Sequence, residues 1–475
     1  MEVRNKEWTD EEFFKVRKEV LAQWHTGKEI EDIDECIDYQ KKLPDEKRLS
    51  SRYKMLEKEE KTEIHLMIGL CTMEQMLDHM LFIEDLKPQW SLHPDTWTRS
   101  HQFERVEQAI ERSKKEGRSV LNGYPLINYG AKASRKITES VSGSINFNVS
   151  DRDTRLQAEM VLGAGWTGIT THSLNDIAQH HKDCPLDEKI RYSQYNSKLA
   201  AYYSKRGAPI VCDLPGNFTG WDMPSFRVSD AILEALLTAE QGNKEISMSL
   251  DLGLNLVQDV AAYRMLRKLS REYLDKAGHS DASLYIRADG WLGDFPQDLG
   301  RANAMVSWQI VIPVLAGVHR MYLKSVDEAV SITTKEGNRM ALMNARQLLV
   351  MMGNQRLPES PELKLEEEMI EKEVRATVDK VIEIGDGDVA VGMVKAIDHG
   401  VLDTQFSPWR YLKGKVLLVR DHRGGIRYLD HANIPLPKEV IEYHKEKIAE
   451  REKAEGKKAD LEWVIENVTR VSQPF

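Results

Sequence analysis

Lys324 and Glu328 are the charged pair in this sequence whose spacing is best suited to chemistry, since they follow a short apolar run and stand four residues apart. Side chains at that spacing share one face of a helix. If a helix begins near Ser325, the ammonium and the carboxylate point the same way. A surface ion pair is the structural alternative, and a lysine there could also form a Schiff base in an aldolase or lyase.

Three histidines, His172, His180 and His181, lie shortly after a strand-like run that ends at Thr170. No cysteine, histidine or carboxylate stands near them at a spacing typical of zinc ligands. The sequence therefore predicts no metal site, and we expect these histidines to line a polar pocket or to lie on the surface.

Gly163-Ala-Gly165-Trp-Thr-Gly168 matches the pattern G-x-G-x-x-G. A dinucleotide site requires a strand before this pattern and a helix after it. Here a helical stretch precedes the glycines and an apolar run follows them. We therefore interpret them as a helix end and a tight entry into a strand.

A glycine-rich aromatic loop, Asp-Gly-Trp-Leu-Gly-Asp-Phe-Pro-Gln-Asp, occupies residues 289–298. The loop is too long and too apolar for a simple solvated turn. Long loops of this kind frequently cover a ligand. We expect Phe295 to provide a flat contact to whatever is bound.

The elements that must position these residues are eight short apolar or β-branched runs that alternate with amphipathic stretches. Such alternation predicts parallel strands with right-handed crossovers, and eight strands over about 265 residues are typical of a (β/α)₈ (TIM) barrel. The runs are Ile64–Ile68, Ser119–Asn122, Ser144–Asn148, Gly165–Thr170, Pro209–Asp213, Glu245–Leu250, Ser283–Ala288 and His319–Lys324. The second run is the weakest, because Trp90–Arg99 competes for its place. A doubly wound open sheet is the alternative fold.

The catalytic groups of such barrels lie at the carboxyl ends of the strands. Small or polar residues stand at the predicted ends: Gly69, Asn122, Asn148, Thr170, Asp213, Asp251, Asp289 and Lys324. The candidate site is therefore expected at this end of the barrel.

Two further segments flank the barrel, which we place at residues 59–370. Residues 1–58 are rich in Glu and Lys and predict a helical N-terminal extension, with a capping box formed by Thr9 and Glu12. Residues 371–475 predict a smaller α+β lobe with a hairpin, Val416–Arg420 and Gly425–Leu429, and a charged helix near the C-terminus.

The composition narrows the class of protein. The 475 residues carry a net charge of −10, which argues against nucleic acid or an anionic membrane as the main partner. No apolar run is long enough to span a membrane, and the first residues lack the apolar segment of a secretory signal. Four dispersed cysteines argue against a disulfide framework. We expect a cytoplasmic enzyme.

The sequence resembles, nearly end to end, the large (epsilon) subunit of glutamate mutase, also called methylaspartate mutase. The motifs that carry the resemblance are Trp8-Thr-Asp-Glu-Glu-Phe13, Leu121-Asn-Gly-Tyr-Pro-Leu-Ile-Asn-Tyr-Gly130, Gly293-Asp-Phe-Pro-Gln-Asp298 and Thr334-Lys-Glu336. The resemblance implies a TIM barrel and a radical rearrangement that uses adenosylcobalamin to interconvert L-glutamate and threo-3-methylaspartate.

The resemblance also implies partners. In that family a separate small subunit with an Asp-x-His-x-x-Gly motif carries the cobalamin, and two large subunits form a dimer within a heterotetramer. None of the fourteen histidines in this chain has an aspartate two residues before it. We therefore expect the chain to need such a small subunit.

The family's cofactor contacts are largely kept. They fall on Gly69, Asn122, Phe295, Lys324, Glu328 and Ile332, which match the family's residue types. Lys324 and Glu328 correspond to the residues that hold the ribose hydroxyl groups of the cofactor. The exception is Gln179, which stands where the family has a proline.

The substrate contacts differ sharply from the family pattern. The family holds its dicarboxylate with three arginines, of which this sequence keeps Arg99 and replaces the other two with Met67 and Asn148. Removing one partner of a buried charge pair costs about 3–5 kcal/mol, so two such losses would reduce transition-state binding of glutamate by several decades.

At four more substrate-contacting positions, the residue type differs from that of the family. Val149 replaces a histidine, Thr170 replaces the glutamate that meets the substrate ammonium, and Asp176 and His180 replace two tyrosines. Asp176 is our candidate for pairing with a substrate ammonium. Drift would erode the cofactor contacts as well, so the pattern favours a radical mutase with a changed amino-acid or carboxylic-acid substrate. A methylaspartate mutase with an unusual pocket and a catalytically silent partner of the cobalamin subunit are the alternatives.

Overall fold

Eight parallel strands form a closed barrel in the computed structural model, which describes residues 3–216 and 221–473. Leu66 of the first strand pairs with Trp90 of the second and with Leu323 of the eighth, so the barrel closes and the open-sheet alternative is excluded. The strands are β1 (Glu63–Ile68), β2 (Gln89–Leu92), β3 (Ile145–Phe147), β4 (Gly168–Thr170), β5 (Val211–Gly216), β6 (Glu245–Asp251), β7 (Ser283–Asp289) and β8 (Arg320–Leu323). The predicted TIM barrel is confirmed.

Helices surround the barrel and build both flanking segments. The N-terminal helices are α1 (Asp10–Leu21), α2 (Ile33–Lys41) and α3 (Leu49–Glu59). The helices of the barrel region are α4 (Met73–Ile83), α5 (Thr96–Arg99), α6 (Phe103–Glu116), α7 (Leu126–Tyr129), α8 (Ala131–Ser140), α9 (Arg155–Gly163), α10 (Leu174–His180), α11 (Leu186–Lys205), α12 (Pro224–Glu240), α13 (Leu256–Lys276), α14 (Leu299–Ala316) and α15 (Lys335–Met352). No helix in the described part of the chain is long and apolar enough to cross a membrane.

The second strand is Gln89–Leu92, and the prediction of Ser119–Asn122 for this place was wrong. Trp90 and Leu92 are both fully buried, and Trp90 joins β1 to β3 in register. The segment 119–122 is instead a loop with a single antiparallel bridge from Asn122 to Leu70. Burial of the Trp90 indole outweighs the strand-like pattern of the later segment.

The N-terminal extension closes the amino end of the barrel. The predicted capping box is present at the start of α1, where Thr9 and Glu12 exchange hydrogen bonds. Tyr53 of α3 stacks on Tyr285 of β7, with ring centroids 4.4 Å apart and planes 7° apart. Its hydroxyl lies 2.6 Å from the Ser247 hydroxyl of β6. The extension therefore forms the floor of the barrel.

The C-terminal lobe includes most of α16 (Pro361–Ile384), which crosses the boundary predicted at residue 370 and packs against α12 and α13. It continues with α17 (Val389–His399), the hairpin of β9 (Leu417–Arg420) and β10 (Ile426–Asp430), α18 (Lys438–Glu455) and α19 (Leu461–Thr469). The predicted hairpin is confirmed as a small antiparallel sheet.

Candidate active site

The interior of the barrel is polar and its charges are paired. Asp213 of β5 accepts hydrogen bonds from Arg320 at 2.8 Å, Asn146 at 2.6 Å and Tyr322 at 3.1 Å. Burial alone would raise the pKa of Asp213, but the guanidinium groups of Arg320 and Arg287 hold it below its usual range. This network forms the base of the cavity above it, although Asn146 Oδ1 and the Nε and Nη1 atoms of Arg320 have no hydrogen-bond partner among the described residues.

Arg287 connects this network to the carboxyl end of the barrel. Its Nη1 lies 3.2 Å from Asp213, and its Nη2 donates to Asp289 at 3.0 Å and to the Ser249 hydroxyl at 2.8 Å. Arg287 and Asp289 both line the cavity described next. The Arg287 guanidinium is thus shared between two protein carboxylates, and only its buried Nε lacks a partner among the described residues.

A cavity of about 490 Å³ opens at the carboxyl end of the barrel, where a TIM barrel carries its active site. Ten of the residues singled out from the sequence as substrate or cofactor contacts line it: Met67, Arg99, Asn122, Asn148, Val149, Thr170, Gln179, His180, Lys324 and Glu328. The fold therefore brings most of the predicted site together from segments far apart in the sequence.

Lys324 and Glu328 form an ion pair in the cavity wall, with Nζ 2.6 Å from Oε1. The Lys324 side chain is 11% exposed and that of Glu328 is 35% exposed. The helix expected near Ser325 is absent, and a turn over residues 326–330 brings the two side chains together instead. A lysine held in this way is less accessible as a free amine for a Schiff base.

Arg99 is the cation in the cavity that lacks a counter-ion. It ends the short helix α5, and its Nε donates to the Pro94 carbonyl at 3.3 Å. Burial lowers its pKa, although the carboxylates of Asp176, Asp151 and Asp95 oppose the shift. Within the described ranges Arg99 forms no ion pair, so its guanidinium edge can receive a carboxylate of a ligand.

Several other residues that line the cavity are uncharged. Asn148 donates to the Ser91 hydroxyl at 3.0 Å, and the Thr170 hydroxyl accepts from the Val149 backbone N–H at 3.2 Å. Met67 and Val149 contribute apolar surface to the same cavity. None of these positions provides a positive charge for a second carboxylate.

Asp176 does not reach the cavity. It is fully buried on α10, where its carboxylate accepts from Lys189 at 2.6 Å, from the Ser150 hydroxyl at 2.5 Å and from the Asp151 backbone at 3.1 Å. Burial would raise its pKa, but the Lys189 ammonium holds it far below its usual range. The expected pairing with a substrate ammonium is therefore corrected, because a buried lysine already neutralises this carboxylate.

Three histidines line the cavity without adding charge. Burial lowers the pKa of His93 to about 4 and lowers those of His172 and His180 as well. His172 is held by the Asn175 side chain at 2.9 Å and by the Val149 carbonyl at 3.0 Å. His181 lies outside the cavity lining. The described residues contain no cluster of side chains that could hold a metal ion.

This arrangement can be compared with known proteins. A family model of the methylaspartate mutase E chain matches residues 43–474. The chain belongs to this family. It is 36% identical to the glutamate mutase epsilon subunit of Escherichia coli O157:H7 over 99% of this chain and 98% of that protein. The epsilon subunit of Desulfitobacterium hafniense is 34% identical over 100% and 98% of the two chains, and that of Yersinia enterocolitica is 35% identical over 99% and 98%.

Three of the cofactor contacts expected of a methylaspartate mutase E chain lie outside the cavity lining. A Cβ at Gly69 would lie 2.6 Å from the Gly123 Cα and 2.7 Å from the His93 Nε2, so packing within the protein already requires glycine there. Phe295 is buried in the core at 7% exposure, and Ile332 packs against the same core.

Sequence reasoning did not assign Arg287, Asp289 or Tyr322 to the site of this E chain, although all three line the cavity. One signal was available, since Arg287 lies in the predicted strand Ser283–Ala288 and Asp289 stands two residues later at its end, so an extended chain places both on one face. Asp289 was recognised as a strand end. Arginine on the inner face of a barrel departs from the branched apolar residues that usually fill it.

Proposed function

We propose that this chain is the catalytic large subunit of an adenosylcobalamin-dependent carbon-skeleton mutase whose substrate carries one carboxylate and a neutral arm. Its family is one of mutases, which places it among the isomerases at family level. The observation that carries the substrate proposal is the charge of the cavity. Arg99 is unpaired there, while the other lining cations, Lys324 and Arg287, are engaged by protein carboxylates.

The donor set of the cavity fits the cofactor. The Lys324 ammonium can donate to one ribose hydroxyl and the Glu328 carboxylate can accept from the other, while Asn122 lies in the same wall. Bound adenosylcobalamin supplies a carbon-centred radical, which is the chemistry that a skeletal rearrangement requires. The closed barrel beneath the cavity limits the access of water that could divert such chemistry.

A partner follows from the same proposal. The relatives are named as subunits, and this sequence lacks the Asp-x-His-x-x-Gly motif that would hold cobalamin. We expect a small cobalamin-binding subunit of the Asp-x-His-x-x-Gly type to cover the cavity, with two large subunits in a heterotetramer. The chain alone is expected to bind cobalamin weakly, and tight stoichiometric binding without the small subunit would contradict this.

The charge of the cavity decides between substrates. Arg99 can hold one carboxylate in bidentate fashion. A second carboxylate would meet Met67, Asn148 and Val149, which offer no compensating charge, and burial without a partner costs several kcal/mol. The substrate is therefore expected to carry an uncharged group on its other arm.

One observation favours a second candidate, a methylaspartate mutase with an unusual pocket. Arg287 lines the cavity, and its buried Nε has no partner among the described residues. A single donor from a guanidinium already shared between Asp213 and Asp289 is a weak replacement for two arginines. We therefore place this candidate second.

The deciding experiment is mass spectrometry of products after the chain, its small subunit and adenosylcobalamin are incubated with glutamate or with monocarboxylic analogues. The wild-type complex should turn over glutamate slowly or not at all. The double variant M67R/N148R should raise glutamate turnover, whereas the uncharged control M67L/N148Q should not. Efficient isomerisation of glutamate by the wild type would refute the changed substrate.

A second experiment tests the cofactor contacts. K324A and E328A should abolish the substrate-dependent change in the visible spectrum of the cofactor, because each removes one partner of the pair in the cavity wall. K335A is the control, since Lys335 pairs with Asp78 outside the cavity. Wild-type spectral changes in both K324A and E328A would show that Lys324 and Glu328 do not hold the cofactor. A folded complex that turns over no candidate substrate would favour the alternative that the chain is a catalytically silent partner of the cobalamin subunit.

A further inference from the structure

A second cavity, of about 250 Å³, lies at the amino-terminal end of the barrel. We call it the basal groove. It is formed by α3, α15 and the starts of β1 and β2, and its charged lining residues are Arg52, Lys61, Glu63, Lys87 and Arg346. Because TIM-barrel active sites lie at the opposite end, the basal groove is separate from the candidate active site.

The basal groove concentrates positive charge in an acidic protein. Four cations and one carboxylate line it, whereas the whole chain has a net charge of −10. Lys61 is well solvated and pairs with Glu59, so it adds little to the net charge of the groove. Arg52, Lys87 and Arg346 still outnumber Glu63 by two charges. A concave surface of one sign attracts ions of the other.

The two arginines are short of partners. Arg52 binds Glu63 through Nη2, but its Nε is buried and has no hydrogen-bond partner within the described ranges. Arg346 donates from Nη2 to the Leu86 carbonyl and pairs with no described carboxylate. Burial lowers the pKa of both guanidinium groups, in keeping with their partly desolvated position, while Arg52 keeps its ion pair with Glu63.

Lys87 occupies a position that lysine seldom takes. Its φ of 44° lies in the left-handed region, where it ends the short helical turn Glu84–Leu86. Glycine or asparagine normally fills such a position, and another residue costs about 1 kcal/mol. The Lys87 side chain is exposed and forms no ion pair in the described part of the chain, so its ammonium is available to an anion in the groove.

The remaining lining is mostly apolar, with Thr62 and Gln89 as its polar members. Met55 and Leu56 of α3 and Leu342 and Leu349 of α15 contribute apolar side chains to the groove. We propose that the basal groove binds an organic anion, whose charged head is held by Arg52, Lys87 and Arg346 while its apolar body covers these side chains. The head is a carboxylate or a phosphate, which the two kinds of probe below distinguish.

The test is calorimetric titration of the full chain with acetate, octanoate and inorganic phosphate. It requires neither a partner subunit nor turnover, so its result is independent of the proposed mutase activity. Saturable binding of octanoate, at least tenfold tighter than acetate, would support a carboxylate with an apolar body. Tighter binding of phosphate than of octanoate would support the basal groove as an anion site whose ligand carries a phosphate head.

R346Q and K87Q should each weaken binding at least tenfold, because each removes a charged donor to the anion. R339Q is the matched control, since Arg339 lies on the same helix but pairs with Asp85 outside the groove, and it should change affinity less than twofold. R346Q should also unfold at the same or a higher temperature, because it removes an uncompensated charge. Absence of saturable binding by all three probes, or equal losses in R339Q and R346Q, would overturn the proposal.

Discussion

Replacing Asp176 by asparagine tests whether this carboxylate belongs to the protein interior or to a ligand. The change leaves the buried Lys189 ammonium, which lies 2.6 Å from the carboxylate, without its counter-charge. Loss of one partner from a buried ion pair costs about 3–5 kcal/mol. The Ser150 hydroxyl and the Asp151 backbone N–H also lose a charged acceptor. We therefore expect D176N to lower the free energy of unfolding by about 3–5 kcal/mol at pH 7.

The pH dependence provides a second measure of the same pair. Lys189 holds the pKa of Asp176 below its unfolded value, so the stabilisation is fully present above about pH 4. As the pH falls below that value, the unfolded chain takes up a proton that the folded protein does not. The stabilisation should then decline by about 1.4 kcal/mol for each pH unit. D176N should remove this part of the acid sensitivity.

The assay is urea unfolding followed by tryptophan fluorescence and circular dichroism from pH 3 to pH 7. K189M should cost a similar amount at neutral pH, and D176N/K189M should recover part of the loss because no lone buried charge remains. D183N is the control, since the Asp183–Arg410 pair is exposed and worth less than about 1 kcal/mol. If D176N were as stable as D183N, the Asp176–Lys189 ion pair would not stabilise the protein, and Asp176 would again be a candidate for contact with the substrate.

Two further predictions concern buried polar groups. Asp230 is fully buried and neither of its oxygens has a hydrogen-bond partner among the described residues, and burial together with nearby Glu234 raises its pKa. D230N should therefore have a higher free energy of unfolding than the wild type at pH 7. The difference should grow by about 1.4 kcal/mol per pH unit above about pH 4 until the Asp230 carboxyl of the wild type ionises. A difference that does not change with pH would contradict this prediction. At the barrel floor, Y53F should lose only the hydrogen bond to Ser247, which lowers the free energy of unfolding by about 1 kcal/mol. Y53A also removes the ring and should lower it by about 3–5 kcal/mol, as measured by thermal or urea unfolding. Equal losses in the two variants would show that the ring stack contributes little.

The sequence was sufficient for the barrel because its helices carry their own signals. Helices α11 (Leu186–Lys205) and α13 (Leu256–Lys276) occupy two of the amphipathic stretches that the sequence predicts between the strand-like runs, since apolar residues recur along them at helical spacing. The prediction of the second strand was wrong for a local reason. It is four residues long and its pattern continues into the helix that ends at Arg99, so a competing segment with an Asn-Gly turn at Asn122 looked equally suitable.

The residues that line the cavity could be predicted where the family resemblance named their positions. The contacts that those residues make in the folded protein could not. Asp176 looked free in the sequence, because nothing in its neighbourhood shows that Lys189, thirteen residues later, turns inward to meet it. Arg287 was overlooked for the opposite reason. It meets Asp213 only through the closure of the barrel, and no local pattern encodes a contact between strands so far apart.

The stack of Tyr53 on Tyr285 also constrains the order in which the chain can fold. Tyr53 precedes every strand of the barrel in the sequence, yet its hydrogen-bond partner Ser247 lies 194 positions later and its stacking partner later still. Contacts of such long sequence separation form slowly, because a large loop must close first. The first helices of the chain are therefore expected to be among the last segments to reach their final contacts, after β6 and β7 have been made.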